Sequence, residues 1–346
     1  MFGLAFGAML RNCLLQTLAQ AADFRDVTLQ MASKRIFMTG ATGTAGRATL
    51  AALRAAGHEV VCFARSPADL GAEVRIGDLR SEASVAQDGL RGEHFDAVVS
   101  CIASRSGTRN DAQAVDYDAN IALLRAAQTA GVPQFILLSA ICVQKPRLEF
   151  QHAKLAFEAK LRASGMIYSI VRPTAFFKSL SGQLDRVRAG KAFLVFGDGL
   201  LTACKPISDR DLGVFIAGCL DDPARENRIL PIGGPGPAIT PMDQAEALFA
   251  LLDRPLKVTR VPVALMTGVR SLLRLAGVVS PAMADKAELA GIGRYYATES
   301  MLVWDAKRGI YDADATPETG TDTLFDFYAT LIAQDRSVAL GDHSVF

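Results

Sequence analysis

Arg35-Ile36-Phe37-Met38-Thr39-Gly40-Ala41-Thr42-Gly43-Thr44-Ala45-Gly46 reads as a short apolar strand entering a glycine turn, and a helical pattern follows through Leu53 to Gly57. Each glycine has its own task in that order. Gly40 permits the tight turn, Gly43 lets backbone approach a phosphate, and Gly46 lets the helix pack closely on the strand. The N–H groups at the helix start, framed by Thr42, Thr44 and Ala45, then face a pyrophosphate. A dinucleotide site on a strand–turn–helix unit is the expectation.

The next strand, Glu59-Val60-Val61-Cys62-Phe63-Ala64, decides between the two nicotinamide cofactors. A site built for NAD places an acidic residue near its end to hold the ribose hydroxyls. This chain has Arg65-Ser66 instead. A fixed, permanently charged guanidinium beside a hydroxyl suits a 2′-phosphate, so NADPH is expected.

Working outward, strands are predicted over Arg35–Thr39, Glu59–Ala64, Glu73–Ile76, Ala97–Ser100, Gln134–Ser139 and Tyr168–Arg172, with helical patterns between most of them. Regular alternation implies an α/β fold with a doubly wound parallel sheet of Rossmann type. One helix, Asp116 to Ala130, ends at Gly131-Val132-Pro133. Ligands of such a sheet collect at the carboxyl ends of its strands. Four short stretches fall there: Asp78-Leu79 toward the adenine, Cys101-Ile102-Ala103 toward the riboses, Ser139-Ala140 beside the nicotinamide, and Pro173-Thr174 toward its carboxamide.

Downstream of Ser139 lies Phe150-Gln151-His152-Ala153-Lys154, where a short-chain dehydrogenase would carry Tyr-x-x-x-Lys. Lys154 is the expected catalytic residue, holding the nicotinamide ribose. Phe150 cannot donate a proton to an alkoxide. The sequence therefore points to hydride chemistry on something other than a ketone.

Composition bounds the remainder. With 346 residues, half of them hydrophobic, and 37 basic against 36 acidic side chains, nothing draws the chain to nucleic acid. Six scattered cysteines (Cys13, Cys62, Cys101, Cys142, Cys204, Cys219) form no Cys-x-x-Cys pair and read as reduced thiols of a cytoplasmic protein. No metal site is expected in the protein itself. Residues 1–30 read as an N-terminal extension outside the fold, a leader before a start at Met31, or else as a short amphipathic surface helix; residues 31–175 read as the NADP-binding domain, and residues 176–346 as a substrate lobe that returns some elements to the sheet. In that lobe, Ser208 and Thr240 are placed to cap helices, and Gly233-Gly234-Pro235-Gly236-Pro237 must be irregular. Phe176 and Lys178, just past the sixth strand, are candidate substrate contacts, and a proton could come from water or from a side chain such as Lys178 or His152. The apolar segment Val261 to Pro281 carries Arg270 and Arg274 at i and i+4, close in sequence to Arg260. It reads either as a packed helix with a basic edge, or as an apolar wall for a flat ligand or a membrane surface.

Beyond these physical readings, Ser139-Ala140-Ile141-Cys142-Val143-Gln144-Lys145-Pro146, the run from Leu148 into Glu158, and the late Glu299-Ser300-Met301-Leu302-Val303-Trp304-Asp305 and Gly320 to Phe325 closely resemble the NADPH-dependent divinyl chlorophyllide 8-vinyl reductases. The likeness runs from about Met31 to about Ile332. It implies an atypical short-chain dehydrogenase, related to NmrA-like proteins, that reduces the 8-vinyl group of a divinyl chlorophyllide or protochlorophyllide to ethyl in chlorophyll or bacteriochlorophyll synthesis. Its substrate would be a magnesium-bearing tetrapyrrole, contacted by Phe150, Phe176, Lys178, Arg270 and Arg274, and its location would be the cytoplasm, peripheral to a photosynthetic membrane. Two other readings are an NADP-sensing regulator of the NmrA-like kind and an accessory subunit that keeps NADPH as a fixed part.

Overall fold

The computed structural model describes residues 33–277 and 280–337. The extension expected over 1–30, Cys13 with it, lies outside the described residues. From Arg35 onward the chain forms one compact unit.

Its elements, in chain order, are β1 (Arg35–Thr39), α1 (Thr44–Ala55), β2 (Glu59–Ala64), β3 (Glu73–Ile76), β4 (Ala97–Ser100), α2 (Asn120–Thr129), β5 (Gln134–Leu138), α3 (Glu149–Arg162) and β6 (Ile167–Pro173). There follow β7 (Phe193–Phe196), α4 (Asp209–Gly218), β8 (Arg228–Ile232), α5 (Pro241–Leu251), β9 (Val258–Val261), α6 (Val263–Gly277), α7 (Pro281–Thr298), β10 (Val303–Asp305), β11 (Ile310–Asp312) and α8 (Leu324–Ala333). Seven strands make one parallel sheet in the order β3-β2-β1-β4-β5-β6-β8. The chain winds one way from β1 to β3 and the other way from β4. The switch point, where such sheets bind ligands, therefore falls between β1 and β4.

Alternation along β1 sends side chains into two cores. Phe37 joins Phe63, Phe95, Leu123, Phe135 and Phe157 on one face, whereas Ile36 and Met38 join Val60, Cys62, Leu212 and Ile216 on the other. Both faces are covered, as a parallel sheet requires. α1 and α4 lie side by side on the second face at close range, since a Cβ on Gly213 would stand 2.6 Å from the Ala48 carbonyl carbon.

The first four strands coincide with the predicted ranges. β5 stops one residue early, at Leu138, and β6 extends from Ile167 to Pro173. The helix expected from Asp116 begins as a wide π-helical stretch, Ala112–Ala119, before tightening into α2. Five later strands, β7 to β11, lie outside the predicted set, and β8 completes the main sheet from the carboxyl-terminal half. Ser208 and Thr240 cap α4 and α5 as expected, accepting from the N–H groups of Asp211 (3.0 Å) and Asp243 (3.2 Å). The Gly233–Pro237 stretch is irregular, as expected, and Gly234 passes so near Pro206 that a Cβ would stand 1.9 Å from the Pro206 carbonyl oxygen. The segment after Val261 forms α6, but Leu265 and Leu272 on it are 60% and 71% exposed, so this is not a core helix. The Arg270 and Arg274 side chains lie outside the described residues.

Candidate active site at the β1–β4 switch point

The glycine turn is built around contacts that leave no room for side chains. Gly40 has φ +78° and abuts the end of β4, where a Cβ would stand 2.4 Å from the Cys101 carbonyl carbon. At Gly46 a Cβ would stand 2.0 Å from the Gly40 carbonyl oxygen, so helix and turn touch backbone to backbone. Gly43 occupies the N-cap of α1 without a side-chain cap, and no acidic residue sits in the first turn. The first N–H groups and the helix dipole thus face outward uncompensated, a fit for pyrophosphate. The Lys178 ammonium reaches the Thr44 hydroxyl (3.2 Å) and opposes the desolvation that raises the neighbouring Asp209 carboxyl. This lysine, expected at the substrate, stands at the mouth of the glycine turn.

Past β2, Arg65 and Ser66 are both exposed. Across from them, the backbone N–H and the guanidinium of Arg80 bond to Asp78 and, helped by Arg65, hold its carboxyl below the ordinary value. A 2′-phosphate placed there would meet a cluster with two arginines. Leu79 packs into the first core, while Ile102 is buried and Ala103 exposed beyond β4.

Lys154 occupies α3 one turn after Phe150, and its ammonium pairs with Asp116 at 2.8 Å. Asp116 has no exposed side-chain surface and also accepts from the Ser104 hydroxyl (2.6 Å) and N–H (3.2 Å). A polar chain continues beneath, from Thr39 to Ser100 to Asn120, whose amide returns to the Asp116 carbonyl at 3.1 Å. Lysine carries three donors and Asp116 uses one, so two remain for ribose hydroxyls. Sequence reasoning missed Asp116 because a lone carboxylate in a helical pattern reads as a solvated charge.

Other expected site residues are spent within the fold. The Ser139 hydroxyl donates to Glu158 at 2.5 Å, and Glu158 is itself buried against Arg172. Ala140, alongside, keeps extended backbone and packs on the edge of a cluster that contains Ile141, Cys142 and Leu148. The Thr174 hydroxyl donates to the Lys205 carbonyl and its N–H to Ile232 (2.9 Å), while Pro173 pairs with Ile232 in the sheet. What Thr174 has left for a carboxamide is its carbonyl. His152 is exposed two residues from both Phe150 and Lys154, a spacing that sets it off their face of α3.

Phe150 lies in an apolar cluster with Ile141, Cys142, Leu148, Ile292, Tyr295 and Tyr296. Phe176, in contrast, packs on the second sheet core and bridges to Ile207. The distinctive Cys-Val-Gln-Lys-Pro run and the late Glu299–Asp305 run prove to be two halves of one clasp. Gln144 accepts from the Trp304 N–H (2.9 Å), and Lys145 pairs with Glu299 (2.6 Å) while lying 4.2 Å from the Trp304 ring centre. Arg147 and the Tyr311 hydroxyl bind the same carboxylate at 2.9 and 2.7 Å. The clasp fixes the end of α7 over Cys142.

No helix among the described residues is long and apolar enough to cross a membrane. The family described as NAD(P)H-binding matches residues 40–223. Among solved structures, a leucoanthocyanidin reductase from Vitis vinifera aligns over 86% of this chain and 99% of its own, with a TM-score of 0.64 at 17% identity. An NADPH-dependent quinone oxidoreductase from Escherichia coli aligns over the same shares with a TM-score of 0.63 at 18% identity. These two likenesses establish the fold. The chloroplastic divinyl chlorophyllide a 8-vinyl-reductase of Oryza sativa subsp. indica is 44% identical over 346 aligned residues, 94% of this chain and 85% of the rice protein. Its Arabidopsis thaliana counterpart is 43% identical over 86% of this chain and 77% of its own length. With a glycine turn open to pyrophosphate, a lysine seated on a buried carboxylate, and identity of this extent along nearly the whole chain, this protein belongs to the NAD(P)H-binding oxidoreductase family of the divinyl chlorophyllide a 8-vinyl-reductases.

Proposed function

We propose that this chain reduces the 8-vinyl group of divinyl chlorophyllide a to an ethyl group, with NADPH as reductant. The observation that carries the reading is the 44% identity to the rice reductase over 94% of this chain. In this reading the bound cofactor supplies a hydride from its nicotinamide C4. Gly40, Gly43 and Gly46 let the backbone cradle the pyrophosphate, with Thr42, Thr44 and Ala45 supplying the rim and Lys178 a counter-charge. Arg65 and Ser66 take the 2′-phosphate. Lys154, held by Asp116, orients the nicotinamide ribose, and Asp78, Leu79, Cys101, Ile102 and Ala103 line the adenosine side.

Phenylalanine at position 150 agrees with this chemistry. A vinyl group conjugated to a macrocycle takes hydride at its terminal carbon, and the negative charge spreads into the ring rather than onto an oxygen. No alkoxide forms, so none needs quenching. Holding nicotinamide and vinyl group in line is then the main task, and orientation alone is worth about 7–11 kcal/mol. The apolar cluster around Phe150 suits the disc of the pigment. A peripheral membrane contact would fall to α6, where Leu265 and Leu272 project one side of the helix into solvent.

The test is incubation of the purified protein with NADPH and divinyl chlorophyllide a, followed through the Soret band. A shift toward the monovinyl product with matched NADPH oxidation is expected. Bound NADPH that no divinyl pigment oxidises would contradict the proposal and favour a sensing or accessory role.

A further inference from the structure

Vinyl reduction consumes one proton as well as one hydride, and position 150 has none to give. The elements facing Phe150 and Lys154 do. α7 crosses the site so that Ile292 Cδ1 and Phe150 Cδ1 stand 3.0 and 3.3 Å from where a Gly107 Cβ would be. Tyr296 follows Ile292 by one turn on the same face of α7, as Lys154 follows Phe150 on α3. Tyr296 packs with Phe150 against the buried cluster that holds Cys142, and the Cys142 thiol helps to raise the phenol. Its neighbour Tyr295 is committed elsewhere, donating to the carbonyls of Cys142 (2.9 Å) and Lys145 (3.2 Å).

We infer that Tyr296, brought in from α7, is the proton donor of the reaction, a phenol restored to the site from a different element. The inference rests on the vinyl-reductase reading above. In it, hydride forms a C–H bond at the terminal vinyl carbon, leaving NADP+, and the vinyl π pair passes to the inner carbon and into the macrocycle. The Tyr296 O–H bond then breaks, its proton forms the second C–H bond at the inner carbon, and the phenolate recovers a proton from water. Desolvation of the hydroxyl end, reinforced by Cys142, holds the phenol well above its ordinary value, so it keeps its proton until the substrate takes it.

Tyr296→Phe removes only the hydroxyl. It should bind NADPH as the wild type does and lower kcat by about a hundredfold or more, the scale of a lost general acid. Proton transfer would become slow, so the isotope effect of C4-deuterated NADPH should shrink while that of D2O grows. Tyr295→Phe should lower Tm and leave both isotope effects alone. Should Tyr296→Phe not fold, 3-fluorotyrosine at position 296 keeps a hydroxyl of higher acidity and should change the D2O isotope effect while leaving NADPH binding alone. Wild-type kcat and unchanged isotope effects in Tyr296→Phe, or an unchanged D2O effect with the fluorinated residue, would overturn the inference. Wild-type protein inert toward the pigment would instead overturn the vinyl-reductase reading beneath it.

Discussion

In the proposed reading, Arg65 and Lys154 do most to hold the cofactor. Arg65 stands exposed where an NAD-selective site would place a carboxylate. Arg65→Ala should cost NADPH about 1.5–3 kcal/mol, roughly ten- to hundredfold in Kd, and leave NADH almost unaffected. Fluorescence titration with both cofactors checks this, and equal affinities in the wild type would contradict it. Lys154 depends on Asp116, a carboxylate with no exposed side-chain surface. Asp116→Asn should lower kcat and stability together, by about 3–5 kcal/mol of stability if the lysine is left buried without its partner. Thermal unfolding and turnover on the same preparation test the pairing, and a variant as stable and active as wild type would dissolve it. Lys154 was legible because its spacing from position 150 is a motif. Asp116 was not, because it becomes a partner only when the π-helical stretch Ala112–Ala119 turns it beneath α3, and a widened turn has no signature in a 3.6-residue period.

At the scale of elements, the glycines separate by what surrounds them. Gly46→Ala forces a Cβ against the Gly40 carbonyl oxygen and should abolish NADPH binding, whereas Gly268, exposed on α6, has nothing within 4 Å and no positive φ. Gly268→Ala should therefore stabilise by about 0.5–1 kcal/mol, read as a small rise in Tm. The clasp between the Gln144–Arg147 and Glu299–Tyr311 segments gives a pH prediction. Burial alone would raise the Glu299 carboxyl, but Lys145, Tyr311 and Arg147 outweigh it and hold it below the ordinary 4.5. A depressed carboxyl contributes stability that is present above its unfolded value and is lost as pH falls through the folded one. Unfolding midpoints should thus drop below about pH 4.5, and Glu299→Gln should be less stable at neutral pH with a shallower acid slope; identical slopes would contradict the assignment. β1 to β4 were legible as apolar runs bounded by turns. β8 was not, because Arg228-Ile229-Leu230-Pro231-Ile232 includes a proline, which an edge strand tolerates and a run of alternating residues does not advertise.

Over the whole molecule, the chain places a dinucleotide cradle at the switch point of its sheet, and a helix that arrives late in the sequence roofs the apolar cluster around Phe150. β8, from beyond residue 223, completes the sheet against β6, and α7 covers Phe150 and Cys142. A fragment of residues 35–223 should accordingly fail to give soluble, NADPH-binding protein, since it exposes the β6 edge and the apolar cluster beneath α7. The cradle could be read directly from sequence, because backbone geometry there restricts residue type. The roof could not, because Ile292, Tyr295 and Tyr296 meet α3 and Cys142 across about 150 positions of chain. Direct hydride delivery to the pigment is tested by mass spectrometry of a single turnover with NADPH deuterated at C4 in both positions. The expected product is monovinyl with one deuterium, located on the terminal carbon of the new ethyl group. A product formed without deuterium, or with deuterium elsewhere in the macrocycle, would contradict it.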